Sequence, residues 1–306
     1  MNQSIISDSR TITCAVKQLS AKQDSVFIGT HIATHVDGDT EDFDWMISAD
    51  GHGSNYIGSR RLPDYTFQNQ FDALDKDELI LAKDPLKYID EKIKYKSYKC
   101  NVGSTLQIVR IYNPVDGQIR VEYFGIGDSS MRIFENDKLV ATNTPHKIDL
   151  PKERARLSRK LNDYDCEIHK GHTLFVKSQD AISMMPSSTI MFYHAMDFGL
   201  SMSQSAGHHG ITGYDPELQT FYFPVESKLQ IIIGSDGLFD VMNHEIEKDY
   251  DILCNSQTAE ELVDFAEARW KQDWYYVDYK TGEKVESRVI KLPDYDDVSA
   301  CVFSRR

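Results

Sequence analysis

Apolar runs that stop at an aspartate recur along this chain, and they limit what it can fold into. "FDWMISADG" ends at Asp50, "VEYFGIGD" at Asp128 and "LQIIIGSDG" at Asp236. In "DYDDVSACVF", Asp296 and Asp297 stand just ahead of the last apolar run. Each run has the length and β-branched content of a central strand. Sheet formation lines up strand ends, so acids in these positions can be aimed at one point. The fold must therefore be rich in sheet and must tolerate several carboxylates at one edge.

The rest of the chain supports such a fold. Further strands are expected at "TITCAV" (11–16), "SVFIGTHIA" (25–33) and "VSACVFS" (298–304). "STLQIVRIYN" and "GQIRVEYFGIGD" flank "PVDG" as a hairpin, and "MRIFENDKLVA" turns at Asn136-Asp137. Residues 68–98 read as two helices divided near Pro85, with Leu86, Ile89 and Ile93 on one face. "PKERARLSRKL" (151–161) reads as a charged helix. "TAEELVDFAEARW" reads as another, and Thr258 and Glu261 are placed to form a capping box. Residues 178–216 lack a period and read as an irregular, lid-like segment. Residues 273–291 read as an exposed hairpin insertion. Antiparallel strands with helices in two blocks make an α+β domain, and 1–306 is read as a single catalytic domain.

Charge narrows the partners. A net charge of -14 repels phosphate backbones, so nucleic acid is not expected as a partner. The five cysteines are scattered without C-x-x-C spacing, which fits a reducing, cytoplasmic setting without structural disulfides. No signal peptide and no membrane span are read, and a monomer is expected.

Carboxylates that meet repel one another unless protonated or neutralised by a cation. Mg²⁺ and Mn²⁺ prefer oxygen ligands, and a pair of such ions can activate water towards phosphorus. Read in order, "ADGHGS" (49–54), "VGSTL" (102–106), "GDSS" (127–130), "GSDGLFDVM" (234–242) and "YDDVSACVF" (295–303) resemble the signature blocks of the metal-dependent serine/threonine protein phosphatases of the 2C type. "AKQDS" (21–25) is similar to that family's first acidic motif. The resemblance spans about residues 11 to 304.

The resemblance implies a four-layer αββα sandwich: two antiparallel sheets packed face to face, with helices outside. It also implies roles. Asp50 would bridge two Mg²⁺ or Mn²⁺ ions, joined by the Gly51 carbonyl, with Asp236 and Asp296 on the second ion. Asp24 would act through water, and Asp128 with Asp236 would form the third metal site of some members. His52 would be the general acid, and a phosphorylated protein the substrate. Leu19 stands where the family usually carries a phosphate-binding arginine, so Lys22, and next Lys17, are the expected phosphate contacts. Gln204, His208 and Ser130 replace other usual family residues, and Asp297 adds an acid beside Asp296. These departures keep a second reading open, a catalytically weak or silent module that binds phosphoproteins. "CEIHKGH" (Cys166, His169, His172) lacks a fourth zinc ligand, and "EKIKYKSYK" (91–99) reads as a solvated helix face.

Overall fold

A computed structural model of the chain describes side chains at residues 2–7, 10–19, 22–32, 41–52, 67–93, 102–147, 150–153, 155–156, 202–207, 212, 214–271 and 296–306. It describes the backbone alone in further short strands at Tyr56–Ile57, Arg60–Arg61, Cys166–Lys170, Thr173–Val176, Ser188–Phe192, Phe198–Leu200, Trp274–Val277 and Lys284–Val285.

Two antiparallel sheets of six strands form the frame. Their strands in chain order are β1 (Gln3–Ser7), β2 (Arg10–Lys17), β3 (Asp24–His31), β4 (Phe43–His52), β5 (Gly103–Tyr112), β6 (Gln118–Ile126), β7 (Ser130–Glu135), β8 (Lys138–Thr142), β9 (Ala206–Gly207), β10 (Glu217–Pro224), β11 (Leu229–Gly234) and β12 (Val298–Arg305). The first sheet runs β1-β2-β12-β11-β7-β8 and the second β10-β6-β5-β4-β3. β9 pairs with the first residues of β5, where β6 no longer reaches.

Side-chain alternation explains the layers. Ile231 and Ile233 face the seam between the sheets, together with Val26, Met46, Val109, Cys14 and Cys301. Ile232, Phe134, Val298, Ala300 and Val302 face the other way, onto α4 (Asp236–Phe239), α5 (Glu247–Asn255) and α6 (Ala259–Trp270). Trp45, Ile47, Leu106 and Ile108 likewise meet α1 (Phe67–Asp72), α2 (Lys76–Leu81) and α3 (Pro85–Lys92). The order helix, sheet, sheet, helix is the expected αββα sandwich.

Local chemistry accounts for the boundaries. Asn136 and Asp137 both have positive φ, as a two-residue hairpin turn requires. Thr258 and Glu261 close the capping box of α6. The two helices expected over 68–98 are three. Asp75 accepts the amides of Asp77 and Glu78 and so starts α2, a cap that periodicity does not register. Asp84 caps α3 just ahead of Pro85. Residues 151–153 and 155–156 are helical. Within the segment read as irregular, the described residues include strand at Ser188–Phe192, Phe198–Leu200 and β9. In the expected hairpin insertion, Trp274–Val277 pairs with Lys284–Val285 and with Thr173–Val176. Residues 94–99, His172 and His208 lie outside the described residues. Among the described residues no helix is long and apolar enough to cross a membrane.

One buried ion pair fixes the helices behind the first sheet. Asp249 is fully buried and accepts from both terminal nitrogens of Arg269, one at 2.7 Å, and from the Asn243 amide at 2.8 Å. At the next residue, Trp270 Nε1 donates to the Gly237 carbonyl at 2.7 Å, tying α6 to α4. Asp249→Ala leaves the buried guanidinium without its carboxylate, with the Val241 carbonyl as a remaining acceptor. It is expected to cost about 3–5 kcal/mol, read as a lower urea midpoint with an unchanged slope.

Candidate active site

The register of the second sheet brings two acids together. Asp24 is directly opposite Asp50 across the antiparallel β3–β4 pair. Alternation places Asp50 on the face of Met46 and Ser48, and Asp24 on the face of Val26, so both point into the end of the seam. They are 2% and 6% exposed. Gly51 follows Asp50 in β4, and its amide donates to the Gln23 carbonyl.

The first sheet supplies the other acids at its matching end. Gly234 pairs with Ser130 on one side and Ala300 on the other. Asp128, two residues before Ser130, and Asp236, two residues after Gly234, therefore share an edge with Asp296. Asp236 opens α4 directly after the Ser235 cap. Gly127 turns the chain at a φ of 100°, and any Cβ there would collide with Thr105. A Cβ on Gly237 would strike the Asp297 carbonyl, which is how α4 approaches β12 so closely. Hydroxyl pairs stitch the sheets beneath the acids: Ser48 with Ser299 at 3.2 Å and Thr105 with Ser129 at 2.5 Å.

Burial and mutual repulsion govern these carboxyls. Burial, then the charges of Asp297 and Asp236, push Asp24 up to about 7 against hydrogen bonds from Ser235 and Ser299. Burial and the Asp236 charge push Asp128 up to about 7, with Lys147 opposing. Asp50 and Asp296 are held well above the usual carboxylate range by burial and by the surrounding acids. Asp24 Oδ2 and Asp236 Oδ1 are buried without a hydrogen-bond partner. Among the described residues, no three His, Cys, Asp or Glu side chains form a ready-made metal-binding group. The cluster is thus acidic and under-neutralised rather than a closed coordination shell.

His52 ends β4, with Nε2 3.6 Å from Asp50 Oδ1 and its side chain 22% exposed. Burial lowers its pKa from the ordinary histidine value, and the Asp236 charge partly offsets this.

The expected phosphate-side residues divide. Lys22 is exposed, at a φ of 58°, two residues ahead of Asp24. Lys17 is not brought to the acids: its ammonium pairs with Asp264 at 2.8 Å and Glu267 at 3.4 Å on α6. Leu19 packs against the apolar cluster between the first sheet and α6. Leu19→Arg is therefore expected to destabilise the fold by roughly 1–3 kcal/mol and to leave KM for an aryl phosphate unchanged. A melting curve and a Michaelis series check both halves.

Two departures from the family blocks have structural partners. Gln204 is buried, donates to Glu153 Oε1 at 2.9 Å and accepts from the Asp215 amide at 2.8 Å. Asp297 Oδ2 accepts from the Gln23 amide at 2.9 Å, and the Asp297 amide donates to Asp296 Oδ1 at 2.9 Å. The extra acid thereby holds the turn before Asp24 against the start of β12.

Sequence reasoning missed Lys147 and Asp240. Lys147 Nζ lies 3.1 Å from Asp240 Oδ1, and the charges of Asp240, Asp128 and Asp236 raise its pKa above the usual lysine value. Its loop is held by His146, whose Nδ1 accepts the Gly127 amide at 3.0 Å and whose amide donates to the Gly127 carbonyl at 2.8 Å. The available signal was Asp240 in "GSDGLFD", one helical turn after Asp236.

Known structures carry the same frame. A serine-threonine phosphatase 2C from Toxoplasma gondii is 13% identical and superposes with a TM-score of 0.55, covering 100% of this chain and 99% of its own. A phosphatase from a pathogenic strain of Toxoplasma gondii is 14% identical, with a TM-score of 0.55 over 97% of this chain and 93% of its own. A C. elegans sex determining protein is 15% identical, with a TM-score of 0.50 over 96% of this chain and 64% of its own. No protein-family model and no curated protein matches the chain. The fold is that of the 2C-type serine/threonine phosphatases, in a chain far diverged in sequence from these structures.

Proposed function

We propose that this chain is a phosphatase that uses Mg²⁺ or Mn²⁺ to release phosphate from phosphoserine or phosphothreonine in proteins, acting as a monomer in the cytoplasm. The observation that carries the reading is the gathering of Asp24, Asp50, Asp128, Asp236 and Asp296 at one end of the seam. Hard cations offset such a charge cluster, and the donor set is all oxygen. The orphaned oxygens of Asp24 and Asp236 fit a ligand role. Asp50, the Gly51 carbonyl, Asp236 and Asp296 would hold two ions, Asp24 would bind through water, and Asp128 with Asp236 would take a third. When bound, the ions supply charge neutralisation and a water made nucleophilic towards phosphorus.

The chain's own groups do the rest. His52, with Nε2 3.6 Å from Asp50 Oδ1 at the end of β4, would supply the proton to the departing serine or threonine oxygen. Lys22 offers phosphate a point charge at the rim, which a lysine does less tightly than a forked arginine. The seam wall of Ser48, Ser299, Thr105 and Ser129 fixes the strands that aim the acids.

Hydrolysis of a phosphothreonine peptide by the purified chain tests the reading. Turnover is expected with Mn²⁺ and is expected to vanish on complete chelation; activity that survives chelation overturns it. Leu19 in the apolar cluster and Lys17 paired to α6 favour the second reading, a phosphoprotein-binding module without turnover. Phosphopeptide binding with no hydrolysis at saturating Mn²⁺ would establish that reading instead.

A further inference from the structure

We propose that Cys14 and Cys301 are an oxidation site, a dithiol that closes to a disulfide across β2 and β12. The two residues are direct partners in the antiparallel register of these strands. Both side chains lie in the seam between the sheets, 2% and 0% exposed, and both are free thiols. Directly opposed residues in an antiparallel pair have Cα atoms ~4.5–5.5 Å apart. That falls inside the ~4.4–6.8 Å a disulfide spans, so no strand has to slide to close the bond. The proposal is independent of the phosphatase reading.

The two thiols are not equivalent. A hydrogen bond from Cys301 holds Cys14 below the usual thiol range, while burial pushes Cys301 well above it. Cys14 is thus the better nucleophile. It is also the one nearer a way in. Among the described residues β1 is an edge strand paired only to β2, and most of its residues are exposed. Gln3 sits opposite Cys14 on that strand, with Oε1 3.9 Å from Cys14 Sγ. Fraying of an edge strand is a low-energy local opening, and it uncovers Cys14 without unfolding the seam.

Hydrogen peroxide supplies the oxidising equivalents. The Cys14 thiolate attacks one peroxide oxygen and the O–O bond breaks. The hydroxide that leaves takes up the thiol's proton as water, and Cys14 becomes a sulfenic acid. The Cys301 sulfur then attacks the Cys14 sulfur and the S–O bond breaks. A second water leaves with the Cys301 proton. The two sulfurs together lose two electrons, and one peroxide is reduced to two waters. The bond would staple the strand that leads towards Asp24 to the strand that follows Asp296 and Asp297.

Peptide mapping under non-reducing conditions tests this on the native full-length chain. After peroxide treatment and alkylation, a cross-linked pair containing Cys14 and Cys301 is expected, two hydrogen masses below the sum of its thiol forms. Dithiothreitol should cleave it back to the two thiol peptides, Cys14→Ser should remove it and Cys254→Ser should leave it. The wild-type map decides even where a serine variant fails to fold. Two free thiols after a dose that oxidises the chain's methionines overturn the proposal. So does Cys14 advancing to sulfinic acid beside an untouched Cys301, or a linkage to another cysteine.

Discussion

Asp236→Asn is expected to lose most phosphomonoester turnover, on the order of 100-fold or more, while the chain stays folded. Disturbing even the groups around a metal ligand costs ~10–100-fold, and an amide is a poorer, uncharged donor for a hard cation. The fold should hold because Asp236 sits at the first turn of α4, where its neighbour Gly237 is gripped by Trp270 and β12. Removing its charge also relieves repulsion on Asp24, Asp50, Asp128 and Asp296, each of which is pushed up in part by Asp236. The melting temperature of the metal-free variant is therefore expected to equal or exceed that of the parent. Loss of activity with a raised or unchanged melting point marks a ligand; loss with a collapsed melting point marks a structural residue. Turnover equal to the parent at saturating Mn²⁺ would remove Asp236 from the site.

His52→Gln should separate substrates by their leaving groups. A serine or threonine alkoxide needs a proton as the P–O bond breaks, and general acid catalysis is typically worth ~10²–10⁴-fold. A nitrophenolate departs without that help. Turnover of a phosphothreonine peptide is thus expected to fall by about that factor, and that of an aryl phosphate far less. Glutamine approximates the size of the imidazole and can keep a polar contact near Asp50 Oδ1, now 3.6 Å from His52 Nε2, so the pair of rates isolates the proton. Equal losses on both substrates would take His52 out of this role.

Asp50, Asp128 and Asp236 were legible because each is a local event, whereas Asp296 was read from its place ahead of the last strand and Asp24 only from the family resemblance. In each of the first three, an apolar strand, a glycine and an aspartate appear within ten residues, and the apolar, β-branched runs that become β4 and β11 read directly as sheet. Failures came where the signal was not local. Asp75 starts a helix through its own side chain, which hydrophobic spacing does not record. Lys17 stands seven residues before Asp24 in sequence, yet alternation and a helix from the far end of the chain turn it to Asp264 and Glu267. Leu19 looked like a vacant arginine position, but α6 makes it part of a core.

By itself, the sequence determined a sheet-rich α+β domain whose repeated strand-end aspartates call for a shared acidic edge, and the αββα layers came from the family resemblance. Only the tertiary structure decided which groups meet. The register across β3 and β4 set Asp24 opposite Asp50, and that across β2 and β12 set Cys14 opposite Cys301. Packing of α4 and the 143–147 loop set Lys147 against Asp240. The reason is physical. Which face a residue takes follows from its neighbours in sequence, but which residue faces it depends on strand pairings and helix packing formed by segments up to nearly three hundred residues away.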